Sequence, residues 1–299
     1  MATVRPSALQ GTTALELNGQ FAGWLRSLQP PGYQLSPVVV PAGPGAAARL
    51  AAQVAITEMA AEFTLGGQGA LLDWALSLPE ARPEPVAGAA LVLDARGRVA
   101  RRIAWSEGLI TALQLPTLDA ASKLPFSIGL RWQPGTVAYP KAEGSSPPGA
   151  VAGSRKGPML ANFRVGGLPF DSRHVLRVAL PTVTATLAEE AYGVARLPAR
   201  HRYSIDLGEV QLDFLASARD ELLAWVGKVI ADGLIADSDY LTLAVELLDP
   251  AMKKVLGTIT LHGCSLLDYA EAPLGQASDA LPTVSLRFGV GQFAMAMAS

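Results

Sequence analysis

The sequence predicts a mainly β protein built from two tandem antiparallel β-barrel or sandwich domains, each with one flanking helix. A short motif, Leu-Leu-x-Trp, occurs at residues 71–74 and returns at 222–225, 151 residues later. Runs of alternating or apolar residues bounded by Gly and Pro surround both copies, which is typical of short strands. A segment rich in Pro, Gly and Ser separates the copies. We therefore expect a first domain over residues 1–138, a linker over 139–158 and a second domain over 159–299.

Composition limits the function classes that fit the chain. Of its 299 residues, 50% are apolar and 17% charged, which is enough apolar material for packed cores. A net charge of −2 gives no reason to expect binding to nucleic acid or to an anionic membrane. The single cysteine, Cys264, excludes an intrachain disulfide framework. Residues 1–11 have no apolar core of signal-peptide length, so we expect a chain made in the cytoplasm without membrane insertion.

The first half should open with a β-hairpin. Residues 13–18 form its first strand, Asn18-Gly19 its turn, and residues 21–28 its return. The Pro- and Gly-rich residues 41–48 are expected to be a flexible loop. Residues 50–65 are expected to be one strand.

A helix over residues 68–78 should follow, with Leu71, Leu72, Ala75 and Leu78 on one face and Pro79 after its end. Beyond it, residues 89–93 and 99–105 should pair around the turn at 94–97. Alternation would place Val99, Arg101, Ile103 and Trp105 on one side of that hairpin.

Strands over residues 109–118 and 124–132 should complete the first half. Residues 134–158 contain many Gly, Pro and Ser residues, cannot bury enough apolar surface to order themselves, and are expected to be the linker.

The second half should repeat this series. Residues 163–167 and 175–180 should mirror the first hairpin, and strands are expected at 203–207 and 210–214. Ser217 and Asp220 resemble a capping box before a helix ending near residue 231. Its apolar stripe should be Leu222, Val226, Val229 and Ile230. Strands at 241–247, 259–261 and 284–288 should close this half.

Matched residues in the two halves keep a nearly constant separation. Trp74 and Trp225 lie 151 residues apart, as do Phe63 and Phe214. Asn18-Gly19 matches Gly166-Gly167 at 148, Gly108 matches Gly263 at 155, and Leu130-Arg131-Trp132 matches Leu286-Arg287-Phe288 at 156. A separation that only grows slowly indicates a duplicated unit with small loop insertions.

Residues with chemical potential do not form a recognisable site. His262 and Cys264 should share one face of a strand, where packing explains them better than a metal does. Ser145 and Ser146 lie in the linker, where no rigid frame could position a nucleophile. The acidic pairs at 189–190 and 237/239 fit solvated loops better than catalysis. We expect no catalytic residue, no bound cofactor, no metal site and no enzyme activity.

Two further groups have both a structural and a functional interpretation. Arg96, Arg98, Arg101 and Arg102 form the dense basic cluster, which fits a solvated hairpin better than a channel wall or ring interface. Trp74 and Trp225 fit core positions under each helix better than interface anchors.

Taken together, the ordered motifs resemble the tail-tube proteins of contractile phages and phage-derived injection systems, including Hcp-like tube proteins. The stretches that carry the resemblance in the first half are 14–19, 22–25, 70–74, 101–105, 118–123 and 128–132. Those in the second half are 163–167, 220–226, 258–263 and 276–288. The sequence departs from the family pattern at its last strands, which are Leu-Arg-Trp and Leu-Arg-Phe instead of acidic, and at Ser106, where the family has Pro.

The resemblance implies a non-enzymatic protein whose domains form rings of six that stack into a tube with a central channel. With two domains per chain, three chains could complete one pseudo-sixfold ring, or six chains could form two stacked rings or a decorated ring. The implied partners are other copies of the chain, adjacent tube, sheath, baseplate or spike proteins, and cargo in the lumen, within a phage-tail-like particle. One alternative is a trimeric hub or tube-initiating adaptor. Another, of a different class, is a soluble two-barrel ligand-binding module.

Overall fold

The computed structural model describes residues 12–43, 46–66, 69–79, 84–141, 144–147, 157–190, 199–233, 240–272 and 282–298. The prediction of a mainly β protein with antiparallel sheets is confirmed. Elements before residue 139 are called the first half: β1 Thr13–Leu17, β2 Gln20–Leu25, β3 Ser27–Gln29, β4 Tyr33–Gly43, β5 Ala46–Ile56, β6 Met59–Thr64, α1 Gly69–Leu76, β7 Val86–Leu93, β8 Val99–Gln114, β9 Thr117–Asp119, β10 Ser127–Gln133 and β11 Thr136–Ala138.

Elements after residue 158 are called the second half: β12 Phe163–Gly166, β13 Val175–Ala179, β14 Thr182–Glu190, β15 Ala199–Asp206, β16 Glu209–Leu215, α2 Arg219–Asp232, β17 Leu241–Leu248, β18 Val255–Glu271, β19 Thr283–Gly289 and β20 Gln292–Met297. Short 3-10 turns occur at Ser172–His174 and Ala216–Ala218. Neither α-helix in the described ranges is long and apolar enough to cross a membrane.

The two halves have the same order of strand pairing. In the first half the sheet runs β1-β7-β8-β10-β6-β3, with β2 beyond β1. In the second half it runs β12-β17-β18-β19-β16-β13. The last strand of each half also takes the same place, because β11 pairs with β8 and β20 pairs with β18.

The registers of the long strands match as well. Opposite β10, strand β8 skips one residue between Ile110 and Ala112. Opposite β19, strand β18 skips one residue between Leu266 and Asp268. A second irregularity centres on Glu107 in β8, with φ 52°, and on Gly263 in β18, with φ 64°. Gly263 therefore takes the place of Glu107, and Cys264 that of Gly108, one residue away from the match that the sequence suggested.

Both halves contribute to one large hydrophobic core. Its largest fully buried side chains include Trp132, Phe63 and Phe126 from the first half and Phe214 and Phe288 from the second. Both faces of the β1-β7-β8 layer are covered, because a smaller buried cluster lies on the side away from the main core. Its members are Ala14, Ala89, Leu91, Leu93 and Val99.

The prediction that Val99 faces the same way as Ile103 and Trp105 is wrong. Val99 belongs to the smaller cluster, whereas Ile103 and Trp105 lie in the main core. The register between β7 and β8 shifts at Ala100, since Val92 is opposite Arg101 and Leu93 is opposite Val99. An extra residue in one strand reverses which face the following side chains occupy.

Within the expected loop at 41–48, residues 41–43 belong to β4 and residues 46–48 to β5, while residues 44–45 lie outside the described residues. Pro41 lies opposite Ala47 in this two-stranded pair, and in the described part of the chain the other edge of β4 makes no ladder that would require the missing N–H. The single strand expected over 50–65 is in fact two, β5 and β6. A bend at Thr57 separates them, with the Gly32 amide donating to the Thr57 hydroxyl at 2.7 Å and the Thr57 amide donating to the Gly32 carbonyl at 2.9 Å.

The described part of the expected linker is more ordered than its composition suggested. Strand β11 lies within residues 134–158, and the Val99 amide donates to the Ser145 carbonyl at 2.9 Å. Farther along, the Phe126 amide donates to the Pro158 carbonyl at 2.9 Å. Backbone hydrogen bonds to neighbouring strands supply the order that apolar burial does not.

Two expectations for the second half are also wrong. β12 and β13 do not form a hairpin, because β12 pairs with β17 while β13 pairs with β16 and β9. No capping box precedes α2: Ser217 lies in the preceding 3-10 turn, and Ala218 occupies the N-cap without a side-chain hydrogen bond. In the stripe of α2, Leu222 and Val226 are buried, but Ile230 is 76% exposed, so the predicted stripe does not stay buried to the end of the helix.

Candidate assembly interface

The two halves meet along one antiparallel ladder, here called the internal junction. It pairs the end of β8 with β14 and pairs β9 with β13. The pairs are Thr184–Ala112, Val183–Leu113, Thr182–Gln114, Ala179–Thr117, Val178–Leu118 and Arg177–Asp119. Because all six pairs keep the same register, β8–β9 and β13–β14 act as two long strands lying side by side.

The junction is interrupted at one matched position. Pro116 interrupts one strand and Pro181 the other, and the constant register brings each Leu-Pro pair opposite the other. Proline has no N–H to donate, so the ladder cannot continue through these residues. It resumes in the same register, because neither strand gains a residue relative to the other.

One face of the internal junction lies in the hydrophobic core. Val183 and Leu113, which are directly opposite each other, are both fully buried, as are Val178 and Leu118. Complete burial of an aliphatic side chain contributes about 1.5–3 kcal/mol. The two halves are therefore held by shared core packing as well as by backbone hydrogen bonds.

The hairpin β14–β15 extends across the first half. From β15, the Arg202 guanidinium donates to the Leu78 carbonyl just after α1, where the helix dipole favours positive charge. Its neighbour Arg200 donates to the Pro134 carbonyl at 3.5 Å and to the Glu189 carboxylate at 2.8 Å. Second-half arginines thus anchor the hairpin to two carbonyls of the first half.

At the junction two hydrogen-bonded sheets meet, and the chain passes from one to the other at Pro116 and at Pro181. One sheet contains β3, β6, β10 and β8 with β14, and the other contains β9 with β13, β16, β19 and the end of β18. The face of these strands away from the core, here called the polar face, carries small and polar residues. They include Glu62, Gln114, Arg131, Arg177, Gln211 and Ser285. An antiparallel sheet with one packed and one solvated face can form the wall of an aqueous channel.

Charges on the polar face are arranged in ion pairs. Arg177 reaches across the internal junction, with its guanidinium 3.6 Å from Asp119 and 4.0 Å from Asp213. Arg287 lies 3.2 Å from Glu209 and 3.6 Å from Asp268. Pairs this exposed contribute about 0–1 kcal/mol each, so they affect the surface potential more than the stability.

A shallow cleft lies on the polar face of the first half. It is lined by Arg26, Gln29, Glu62, Gln114 and Arg131, with the exposed Leu124 at its margin. The Arg26 guanidinium donates to the Ser127 hydroxyl at 3.1 Å and to Glu62 at 3.4 Å. Apolar residues such as Leu28, Leu115 and Leu160 also line the cleft, which lies on the outside of the sheet, whereas the ligand-binding alternative expects a pocket in a barrel mouth.

The predicted basic cluster does not act as one patch. Arg102 makes a bidentate pair with the buried carboxylate of Glu16, one of its hydrogen bonds measuring 3.0 Å. Arg98 pairs with Asp94 at 3.4 Å, and Arg101 lies over the ring of Tyr139. The cluster is on the β7–β8 hairpin, at the start of β8 rather than at the end that pairs with β14, and Arg98, Arg101 and Arg102 have separate partners.

Both tryptophans of the repeated motif pack against core aromatic rings. Trp74 is buried against Trp132 at 5.6 Å between ring centroids and against Trp105 at 6.4 Å. Trp225 is partly buried, with Phe170 at 5.5 Å and Phe288 at 6.2 Å. The core interpretation of both residues is confirmed.

His262 and Cys264 do not share a face, contrary to the prediction. Gly263 lies between them with positive φ, which rotates the chain so that His262 is exposed and Cys264 is buried. His262 Nδ1 is 3.3 Å from the Thr242 hydroxyl, and the Cys264 thiol donates to the Leu261 carbonyl at 3.4 Å. Burial raises the pKa of the Cys264 thiol to about 11.

The remaining predicted polar residues are dispersed. Ser145 and Ser146 are exposed, Glu189 pairs with Arg200, and Glu190 lies 3.9 Å from His201. Asp237 and Asp239 lie outside the described residues. Within the described ranges, no three His, Cys, Asp or Glu side chains gather into a group that could hold a metal ion.

The sequence analysis missed the internal junction. A signal for it exists, since Leu-Pro-Thr occurs at residues 115–117 and again at 180–182. These two tripeptides are the places where the paired strands break and resume. Strand pairing between residues so far apart in sequence cannot be inferred from local pattern alone.

No family model matches the sequence, and no curated protein matches it. Solved structures that resemble this chain include the tube-terminating cap of the anti-feeding prophage, with 10% identity, TM-score 0.38, and coverage of 46% of this chain and 89% of that one. Another is the PVC extracellular contractile injection system in its extended sheath–tube state, with 13% identity, TM-score 0.37, and coverage of 46% and 89%. A third is Hcp1 from Flavobacterium johnsoniae, with 12% identity, TM-score 0.28, and coverage of 46% and 95%. Over a little under half of its length, the chain is thus similar, at low identity, to components of contractile injection systems.

Proposed function

We propose that this chain is a structural, ring-forming subunit of the inner tube or tube–baseplate junction of a contractile injection particle, and that its two halves are duplicated tube domains that lie side by side in one ring. The observation that carries the proposal is the internal junction. Two units with the same strand order meet edge to edge through the two ladders of this junction.

The internal junction favours one of the ring arrangements that the sequence left open. In two stacked rings, the halves of a chain would meet end to end. Here they meet along strand edges, as neighbours around one ring do. Three chains would then complete a ring of six domains.

The polar face supports the assignment of a channel. In a ring of three chains, about twenty-four strands spaced ~4.8 Å apart give a wall about 37 Å across between backbones, and strand tilt widens it further. A face lined by paired charges and small polar residues would present no continuous surface to which cargo could bind. The main core and both helices would then lie outside the wall, available to neighbouring proteins.

Native mass spectrometry of the purified full chain tests this proposal. The chain has a mass of 31.2 kDa, and we expect an assembly of three chains or a stack of such assemblies. A chain that stays monomeric across micromolar concentrations and at low ionic strength would contradict the proposal. A smallest assembly of six chains, with no three-chain species when it dissociates, would contradict the side-by-side arrangement while leaving ring formation intact.

The trimeric hub or tube-initiating adaptor is the second candidate, and it shares the arrangement of three chains. The difference in helix length between the halves favours this candidate, because α1 has 8 residues and α2 has 14. Short and long helices would then alternate on the outer surface of the ring. Binding to a threefold spike at one end and a sixfold tube at the other, measured by co-purification, would distinguish the adaptor from a repeating tube subunit.

A further inference from the structure

We propose that neighbouring chains in this ring join through a defined strand seam, in which the start of β4 of one copy pairs antiparallel with the end of β18 of the next. The inference rests on the proposed ring function and specifies its contact. Among the described residues, β4 pairs only with β5, and residues 268–270 of β18 pair only with β19. Each of these strands therefore has one unpaired edge.

The matched registers show which residues these edges correspond to. Leu28 pairs with Ala61 in the first half, and Val178 pairs with Leu212 at the matching place in the second half. Tyr33 lies five residues after Leu28, and Val183 lies five residues after Val178. Tyr33 therefore takes the place of Val183 at the internal junction. Pro31 also takes the place of Pro181, so the break before the strand is reproduced.

The same reasoning identifies the other side of the seam. Leu130 pairs with Leu113 in the first half, and Leu286 pairs with Tyr269 in the second. The residue that β8 skips opposite β10 lies at the same place as the residue that β18 skips opposite β19. Tyr269 therefore takes the place of Leu113. Since Val183 lies opposite Leu113 inside the chain, we expect Tyr33 of one copy opposite Tyr269 of the next, and Gln34 opposite Asp268.

Exposure of large apolar side chains supports this assignment. Tyr33 is 53% exposed, Leu35 55% and Leu267 51%. Their counterparts at the internal junction are Val183, which is fully buried, Ala185, which is partly buried, and Thr111, which is 8% exposed. Exposed apolar residues on an unpaired strand edge favour association with another strand.

The seam and the internal junction differ in chemistry. Leu35 and Leu267 at the seam would take the positions that Ala185 and Thr111 have inside the chain, one residue beyond the last pair, Thr184–Ala112. Two tyrosines would replace Val183 and Leu113. A seam between separate chains must offset the loss of translational freedom, which the covalently linked junction does not. Larger apolar side chains at the seam are consistent with that requirement.

The occupant of these edges is a second copy of the chain. Each edge resembles one side of a contact that the chain already makes with itself, so the edge of β4 fits the edge of β18 in shape and register. The contact is heterologous, with different surfaces on the two partners, and such contacts form closed rings when the rotation between subunits closes.

Charge substitutions at the seam provide the first test. Leu35→Glu and Leu267→Glu should each shift the native mass from the assembly to the single chain of 31.2 kDa. Ile230→Glu is the matched control, because Ile230 is 76% exposed on α2 and lies off the seam; it should leave the assembly intact. The double variant Leu35→Lys with Leu267→Glu should restore the assembly, since opposite charges would then face each other across every seam.

Cysteine pairs test the register. Directly opposite residues on antiparallel strands have Cβ atoms about 4.5–5.5 Å apart, close enough for a disulfide after small adjustments. Tyr33→Cys with Tyr269→Cys should give covalent oligomers on oxidation, whereas each single variant should not. The pair Tyr33→Cys with Glu271→Cys, displaced by two residues, should cross-link much less.

The outcomes separate the seam from the function. If the unsubstituted chain forms rings but the Glu variants also form them and the Tyr33/Tyr269 pair does not cross-link, the seam is wrong and the ring function stands. If the unsubstituted chain forms no assembly, the proposed function fails and the seam with it.

Discussion

At the residue scale, Cys264 gives a prediction about reactivity. Its thiol is buried and its pKa is raised to about 11 by that burial, so the neutral form persists well above neutral pH. At pH 8 only about one thiol in a thousand is ionised at that pKa, against about one in ten at pKa 9, and thiolate is the reactive form. We expect a thiol reagent such as DTNB to modify the native chain at least 100-fold more slowly than the chain in urea. Because the pKa is raised, the native rate should increase as pH rises towards 11.

The control for this measurement is Tyr203→Cys, which adds a thiol at a position that is 77% exposed. That added thiol should react rapidly in the native chain. Rapid modification of Cys264 itself in the folded chain, at a rate similar to that of the added thiol, would contradict the burial described for it.

Residue roles could be predicted where a single pattern decided them. Trp74 and Trp225 are core residues, as their spacing on short helices indicated. The side-chain faces of Val99 and Cys264 could not be predicted, because bulges at Ala100 and Gly263 interrupt the two-residue period. A bulge is fixed by the partner strand, and the local sequence carries little information about it.

At the element scale, the internal junction predicts a large stability effect for one substitution. Val183→Asp would place a charge opposite Leu113 in a fully buried position. Burying an unpaired charge or polar group without partners costs several kcal/mol, so we expect the free energy of unfolding to fall by about 3 kcal/mol or more. Urea denaturation followed by tryptophan fluorescence measures this change.

The matched control is Thr184→Asn on the adjacent, solvent-facing position of β14. Its effect should stay within about 0.5 kcal/mol, because surface substitutions away from special features cost little. Equal losses for the two variants would show that β14 is not packed between the halves as described.

The strands that could be predicted from sequence are those with strong alternation and clear turns. β17 and β19 are examples, with Leu243, Val245 and Leu286 fully buried as expected. The end of β4 and the start of β5, within residues 41–48, were expected to be a loop, since Pro and Gly residues are typical of turns. These strands form because they pair with each other, a contact that local propensity does not describe.

At the scale of the whole molecule, the proposed ring would cover the unpaired strand edges. Unpaired edges such as those of β4 and β18 favour aggregation unless they are covered. In the proposed ring each edge is covered by its counterpart on the next chain. The mainly β architecture could be predicted from sequence, but the pairing of the two halves could not, because it depends on contacts between β8 and β14.

The symmetry of the assembled particle tests the central claim most directly. End-on electron cryomicroscopy averages should show a ring of three chains with six similar lobes, threefold symmetric at high resolution because α1 and α2 differ in length. The polar face of each chain should line the channel. A ring in which six chains each contribute one lobe, with the other half stacked above it, would contradict the account.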